Sequence, residues 1–203
     1  MSSFIRNILT AMLLTLCTAQ CTLAFTLNEI GEKLKTAGSH SVMFTQEKIL
    51  KDAGLTLSSS GRILSIKEKG ILIKQSSPYE MQLCITKDAI TEYSAGEIHT
   101  IRANDNPAVH SLLNLLLKLM TLDDTVADDF DYKLTGDKSR YTVTLSPKDA
   151  NLKNFFEEIT LDGSEYIDSL IIRGTHEDVT SMNFSDYDFS DKAVNSEDLK
   201  YFE

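Results

Sequence analysis

The chain has 203 residues, 42% of them hydrophobic and 25% charged, and a formal net charge of −10. That acidic balance argues against a nucleic-acid binder, which needs clustered Lys and Arg for phosphate, and against tight adhesion to an anionic bilayer.

The first 24 residues read as an export leader. Arg6 supplies a positive start, Ile8 to Leu16 an apolar core, and Thr22-Leu23-Ala24 a small-residue cleavage site before Phe25. The apolar core is shorter than the roughly 20 residues a membrane span needs. The expectation is a signal peptide at 1–24, cleaved after Ala24, and a single exported domain at 25–203. Cys17 and Cys21 leave with the leader. Cys84, in an apolar strand, then reads as a small core residue rather than a nucleophile.

Thr26-Leu27-Asn28-Glu29 is a capping box that opens a helix, with Leu27, Ile30, Leu34 and Ala37 on one face and Gly38 as the stop. From Ser41 the period becomes two. Val42, Phe44, Gln46 and Lys48 share a face, and a turn is expected at Ser58–Gly61. Leu64 with Ile66, Ile71 with Ile73, and Met81 with Leu83 and Ile85 continue the rhythm. Tyr141, Val143 and Leu145 give the cleanest alternation, followed by Ile159 and Leu161, Leu170 and Ile172, and Met182 and Phe184. Gly96, Gly136-Asp137, Asp162-Gly163 and Gly174 mark short turns. The pattern predicts a long antiparallel meander with one apolar and one wet face. One segment departs from it: Pro107 opens a leucine-rich helix through Met120, whose apolar surface is wider than a single stripe. Such a helix either sinks into an ordinary core or lies over an open sheet with an apolar space beneath.

No reaction class emerges. The chain has no G-x-S-x-G elbow, Walker loop, C-x-x-C or H-E-x-x-H, and His40, His99, His110 and His176 are scattered singly. The acidic run Asp123, Asp124, Asp128, Asp129 and Asp131 lacks the glycine and spacing of a calcium loop. The expectation is a protein that is not an enzyme and holds no metal or cofactor.

Phe44-Thr45-Gln46 follows an amphipathic first helix, Ser60-Gly61 opens a strand with Lys67 near its end, and Ile71, Ile73 and Pro78 come next. Pro107 before an apolar helix, "VTLSPKDANLKNFFEEITL" and "SMNFSDYDF" complete the set. In this order they resemble the LolA-type outer-membrane lipoprotein carriers, over essentially all of residues 25–203. The resemblance implies a mainly β fold, an incomplete antiparallel β-barrel closed by a lid of short α-helices. It also implies a monomeric periplasmic chaperone that shields acyl chains and ferries lipoproteins from an inner-membrane lipoprotein-releasing transporter to an outer-membrane receptor lipoprotein.

On that resemblance and the shared faces, the expected cargo wall is Leu34, Phe44, Leu64, Ile66, Ile71, Ile73, Leu83, Leu112, Leu113, Leu116 and Phe184. Gln46 reads as a strand-end partner of a loop. Lys67 stands where the family carries the arginine that locks the lid, and lysine lacks the planar multi-donor fork. Ile71 and Ile73 replace family aromatics. Other acyl or polyene lipids are the alternative cargo, and a non-catalytic envelope interaction module the alternative role.

Overall fold

The computed structural model describes residues 25–36, 38–105, 107–121 and 125–203, without the side chains of 33–36, 108, 116, 117 and 119–121. Helix α1 (Leu27–Thr36) begins at the expected capping box: Thr26 N donates to Glu29 Oε2 at 3.1 Å, and Glu29 N to Thr26 Oγ1 at 3.4 Å. Six strands follow: β1 (His40–Leu50), β2 (Leu55–Ile66), β3 (Gly70–Ser77), β4 (Met81–Ile85), β5 (Ala89–Ser94) and β6 (Glu97–Arg102). After helices α2 (Pro107–Thr121) and α3 (Val126–Asp129) come β7 (Phe130–Asp137), β8 (Arg140–Pro147), β9 (Phe156–Gly163), β10 (Ile167–Gly174) and β11 (Val179–Asp188). A short helix, α4 (Ser196–Leu199), lies near the C-terminus.

All eleven strands form one antiparallel sheet in the order β6-β5-β4-β3-β2-β1-β11-β10-β9-β8-β7. Each half is a local meander, β1–β6 on one side and β7–β11 on the other. They meet at a seam where β1 pairs with β11, placing Phe44 opposite Phe184. The edge strands β6 and β7 do not pair, so the barrel is incomplete.

The expected turn at Ser58–Gly61 does not form. Those residues pair within β2, Ser58 opposite Glu47 and Gly61 opposite Phe44. The chain reverses earlier, at residues 51–54, where Gly54 takes φ +61°. Polar serines can belong to a strand when hairpin pairing is continuous from the turn outward. Gly61 answers a different need. A Cβ there would stand 2.1 Å from the Lys74 carbonyl oxygen, beside an irregularity in the β2–β3 ladder.

Helix α2 ties the halves together across the concave face. Leu113 and Val109 pack with Ile71, Ile85 and Ala103 of one half. Leu112 and Leu115 pack in the other half's core with Val143, Leu145 and Ile159, where Leu27 and Ile30 of α1 join them.

The expected wet outer face holds for only part of the sheet. On the convex side of β2–β4, Leu64, Ile66, Leu72 and Cys84 form a separate buried cluster covered by Val194, Leu199, Tyr201 and Phe202. Asp198, 1% exposed, holds this C-terminal cover down. Its Oδ1 accepts from Lys74 Nζ at 2.7 Å, and it completes a capping box with Asn195 at the start of α4. Arg62 adds a second tie, its Nη2 donating to Ser41 Oγ at 2.6 Å and to the Ala193 carbonyl at 3.2 Å.

Candidate functional site: an apolar hollow at the seam

Strand alternation puts one side chain in two on the concave face, and register decides which of them meet. From the seam into the first half, Val42 stands opposite Ile63, Ile63 opposite Ile73, and Ile71 opposite Ile85. Into the second half, Met182 stands opposite Leu170, and Leu170 opposite Leu161. These residues, with Phe184 and Ile167, wall a hollow of about 210 Å³ between the two cores. Three polar residues, His40, Ser65 and Tyr187, complete the wall.

Of the expected cargo-wall residues, Ile71, Ile73 and Phe184 line this hollow. Phe44 is buried on the same face, across the seam from Phe184. Leu83, opposite Ile73, and Leu113 pack into the core of the first half, and Leu112 into that of the second. The α2 leucines with described side chains therefore brace the two cores on either side of the hollow instead of roofing it. Leu64 and Ile66 must be corrected. They point to the convex face, beneath the C-terminal cover. A period of two fixes which residues share a face but not which face looks inward. The side chains of Leu34 and Leu116 lie outside the described residues.

Lys67 sits exposed in the β2–β3 turn, and its backbone N–H donates to Ser39 Oγ at 3.1 Å. Its ammonium group has no hydrogen-bond or ion-pair partner among the described residues. The ties on α2 come from elsewhere. Ser111 Oγ donates to Asp149 Oδ2 at 2.7 Å, and Lys118 pairs with Asp129. The Ser111 hydroxyl, with the backbone N–H of Asn151 adding to it, holds the Asp149 carboxyl below the usual range. Sequence reading missed this tie because Ser111 and Asp149 are far apart in the chain and neither belongs to a motif.

The polar end of the hollow carries an aromatic cluster. The Tyr187 ring stacks on Phe189 and on Tyr166, and the His40 ring lies 5.2 Å from Phe189. Tyr187 Oη donates to the Ile167 carbonyl at 2.9 Å, and burial pushes its phenol pKa up. His40 is only 8% exposed, and burial pulls its imidazole pKa below the ordinary value, opposed by a contact with the Gly38 carbonyl. Nothing in the spacing of four scattered histidines singles out His40. Its distinction comes from the fold, which sets it opposite Ser65. Among the described residues no helix is long and apolar enough to cross a membrane, and no group of three or more His, Cys, Asp or Glu could hold a metal ion.

No family model and no curated protein matches the chain. Solved structures do. A LolA superfamily protein from Nitrosomonas europaea is 13% identical, with a TM-score of 0.48 over 89% of this chain and 98% of that one. A DUF1329 family protein from Desulfovibrio piger is 12% identical, TM-score 0.47, over 87% and 95%. The lipoprotein LppX of Mycobacterium tuberculosis is 11% identical, TM-score 0.42, over 83% and 97%. All three scores fall below 0.5, so no activity or cargo is drawn from these likenesses.

Proposed function

We propose that this protein is a carrier that shelters the acyl chain of a lipid or lipoprotein in the hollow at the β1–β11 seam. The observation that carries the reading is the hollow itself, a cavity of about 210 Å³ whose wall is apolar except for His40, Ser65 and Tyr187. Burying a methylene is worth about 0.8 kcal/mol, so a ~16-carbon chain left in water costs on the order of 12 kcal/mol. An apolar concavity offsets that cost without chemistry.

A cavity of about 150 Å³ holds a guest the size of benzene, and sites for drug-sized ligands run from about 300 to 1,000 Å³. Loading a full acyl chain therefore requires the hollow to widen, and α2, which packs on both halves across the concave face, is the element whose shift would widen it. The leader expected at residues 1–24 and the resemblance to LolA-type carriers support a periplasmic setting for this work, between a donor in the inner membrane and a receptor in the outer one.

The test is capture of a fluorescent fatty acid by the exported protein, with mass spectrometry of lipid that co-purifies from the native envelope. Leu170→Glu puts a charge in the wall and is expected to abolish capture while the β-rich circular dichroism spectrum stays. Equal capture by wild type and Leu170→Glu would sink the proposal.

A further inference from the structure

We infer that the hollow contains a two-point polar anchor, His40 Nε2 and Ser65 Oγ, for a hydroxyl group at the end of an aliphatic chain. This deepens the carrier reading and rests on it. Both residues line the hollow, and they stand directly opposite each other in the β1–β2 ladder. Opposed residues in an antiparallel pair keep their Cβ atoms about 5 Å apart, so one small ligand group can reach both side chains.

The chemistry of the anchor follows from where His40 spends its other nitrogen. His40 Nδ1 lies 3.4 Å from the Gly38 carbonyl oxygen, which can only accept, so Nδ1 carries the hydrogen. In the neutral ring that burial favours, Nε2 is then an acceptor, and it has no hydrogen-bond or ion-pair partner among the described residues. Ser65 Oγ likewise has no side-chain hydrogen bond among the described residues, and the Tyr187 hydroxyl hydrogen is already given to the Ile167 carbonyl. An incoming hydroxyl donates to Nε2 and accepts from Ser65, satisfying both. An ether can only accept and leaves Nε2 unmatched. The rest of the wall is aliphatic and aromatic, which suits a single hydrocarbon chain.

The experiment compares 1-octanol with methyl octyl ether on the exported chain, using protein labelled with ¹⁵N at histidine. Wild type is expected to bind the alcohol roughly tenfold more tightly than the ether, as one to two net hydrogen bonds allow. The Nε2 resonance of His40 should shift with octanol and not with the ether, while the exposed His99, His110 and His176 act as internal controls. His40→Phe should remove the preference and keep the ether's affinity within about twofold, since the buried aliphatic area is unchanged. Ser65→Ala, a smaller change that stands in should His40→Phe fold poorly, should reduce the preference to roughly threefold. Equal affinity of wild type for both probes, or a preference that survives both substitutions, overturns the anchor and leaves the carrier standing. Failure of wild type to bind either probe overturns the carrier reading and the anchor with it.

Discussion

The two halves of the sheet share one concave face and differ on the other. In the second half β8 and β9 bury nearly alternate residues, with Val143, Leu145, Ile159 and Leu161 inside and intervening polar positions outside. In the first half the stretches of β2, β3 and β4 around Leu64, Leu72 and Cys84 are apolar on both faces, because the C-terminal segment covers the convex side there. The second half is thus a sheet held from within by α1 and α2. The first is a sandwich three layers deep, with α2 below and α4 above. A strand buried on both sides has no solvent face, so a truncation in the first half is felt by two packed layers and one in the second half by a single core.

Core truncations break this comparison most directly. Leu72→Ala and Leu145→Ala each remove a side chain with 0% exposure and should each cost about 3 kcal/mol in urea unfolding. They should differ in Cys84, the only cysteine of residues 25–203. Cys84 is buried in the convex cluster, and burial pushes its thiol up to about 11. Leu72→Ala loosens that cluster and should speed thiol labelling under native conditions. Leu145→Ala should leave labelling tied to global unfolding.

Asp198→Ala comes next, at about 2 kcal/mol, because it removes a helix cap and the partner of Lys74 together. Labelling of Cys84 should rise here too, and an unchanged rate would mean that the cover is held by its apolar contacts alone. Ser111→Ala acts on the shared helix and costs less, about 1 kcal/mol. It should raise the affinity for an apolar dye, since α2 moves more freely off the second half.

The smallest expected effect is a pH dependence at His40. Its pKa in the fold lies below the unfolded value of about 6.5, so the unfolded chain binds the proton first as pH falls. Stability from this residue is full above about 6.5 and drains away as pH drops from there toward the folded value. Thermal melts of wild type and His40→Phe between pH 8 and 5 should diverge in that window.

The fold was largely legible in the sequence, since alternation at Tyr141–Leu145 and the capping box at Thr26 are local signals. The first half was harder. "ILI" at 71–73 and "LCI" at 83–85 are contiguous apolar runs, the mark of strands buried on both faces, yet they also fit a one-sided meander. That ambiguity is why Leu64 and Ile66 were expected at the hollow. Ile71, Ile73 and Phe184 were legible as wall residues. His40, Ser65 and the tie from Ser111 to Asp149 were not, because each depends on pairing across the fold.

The β1–β11 ladder joins the two ends of the chain, while every other strand pairs with a neighbour in sequence. Each half is built from short-range hairpins, and the meeting of Phe44 with Phe184 belongs to the strand pairing of largest sequence separation, the kind that contact order makes slow to form. The same ladder forms part of the wall of the hollow proposed to take a guest. A guest seated there would touch both halves at once and bridge the one strand pairing that neighbours in sequence do not supply.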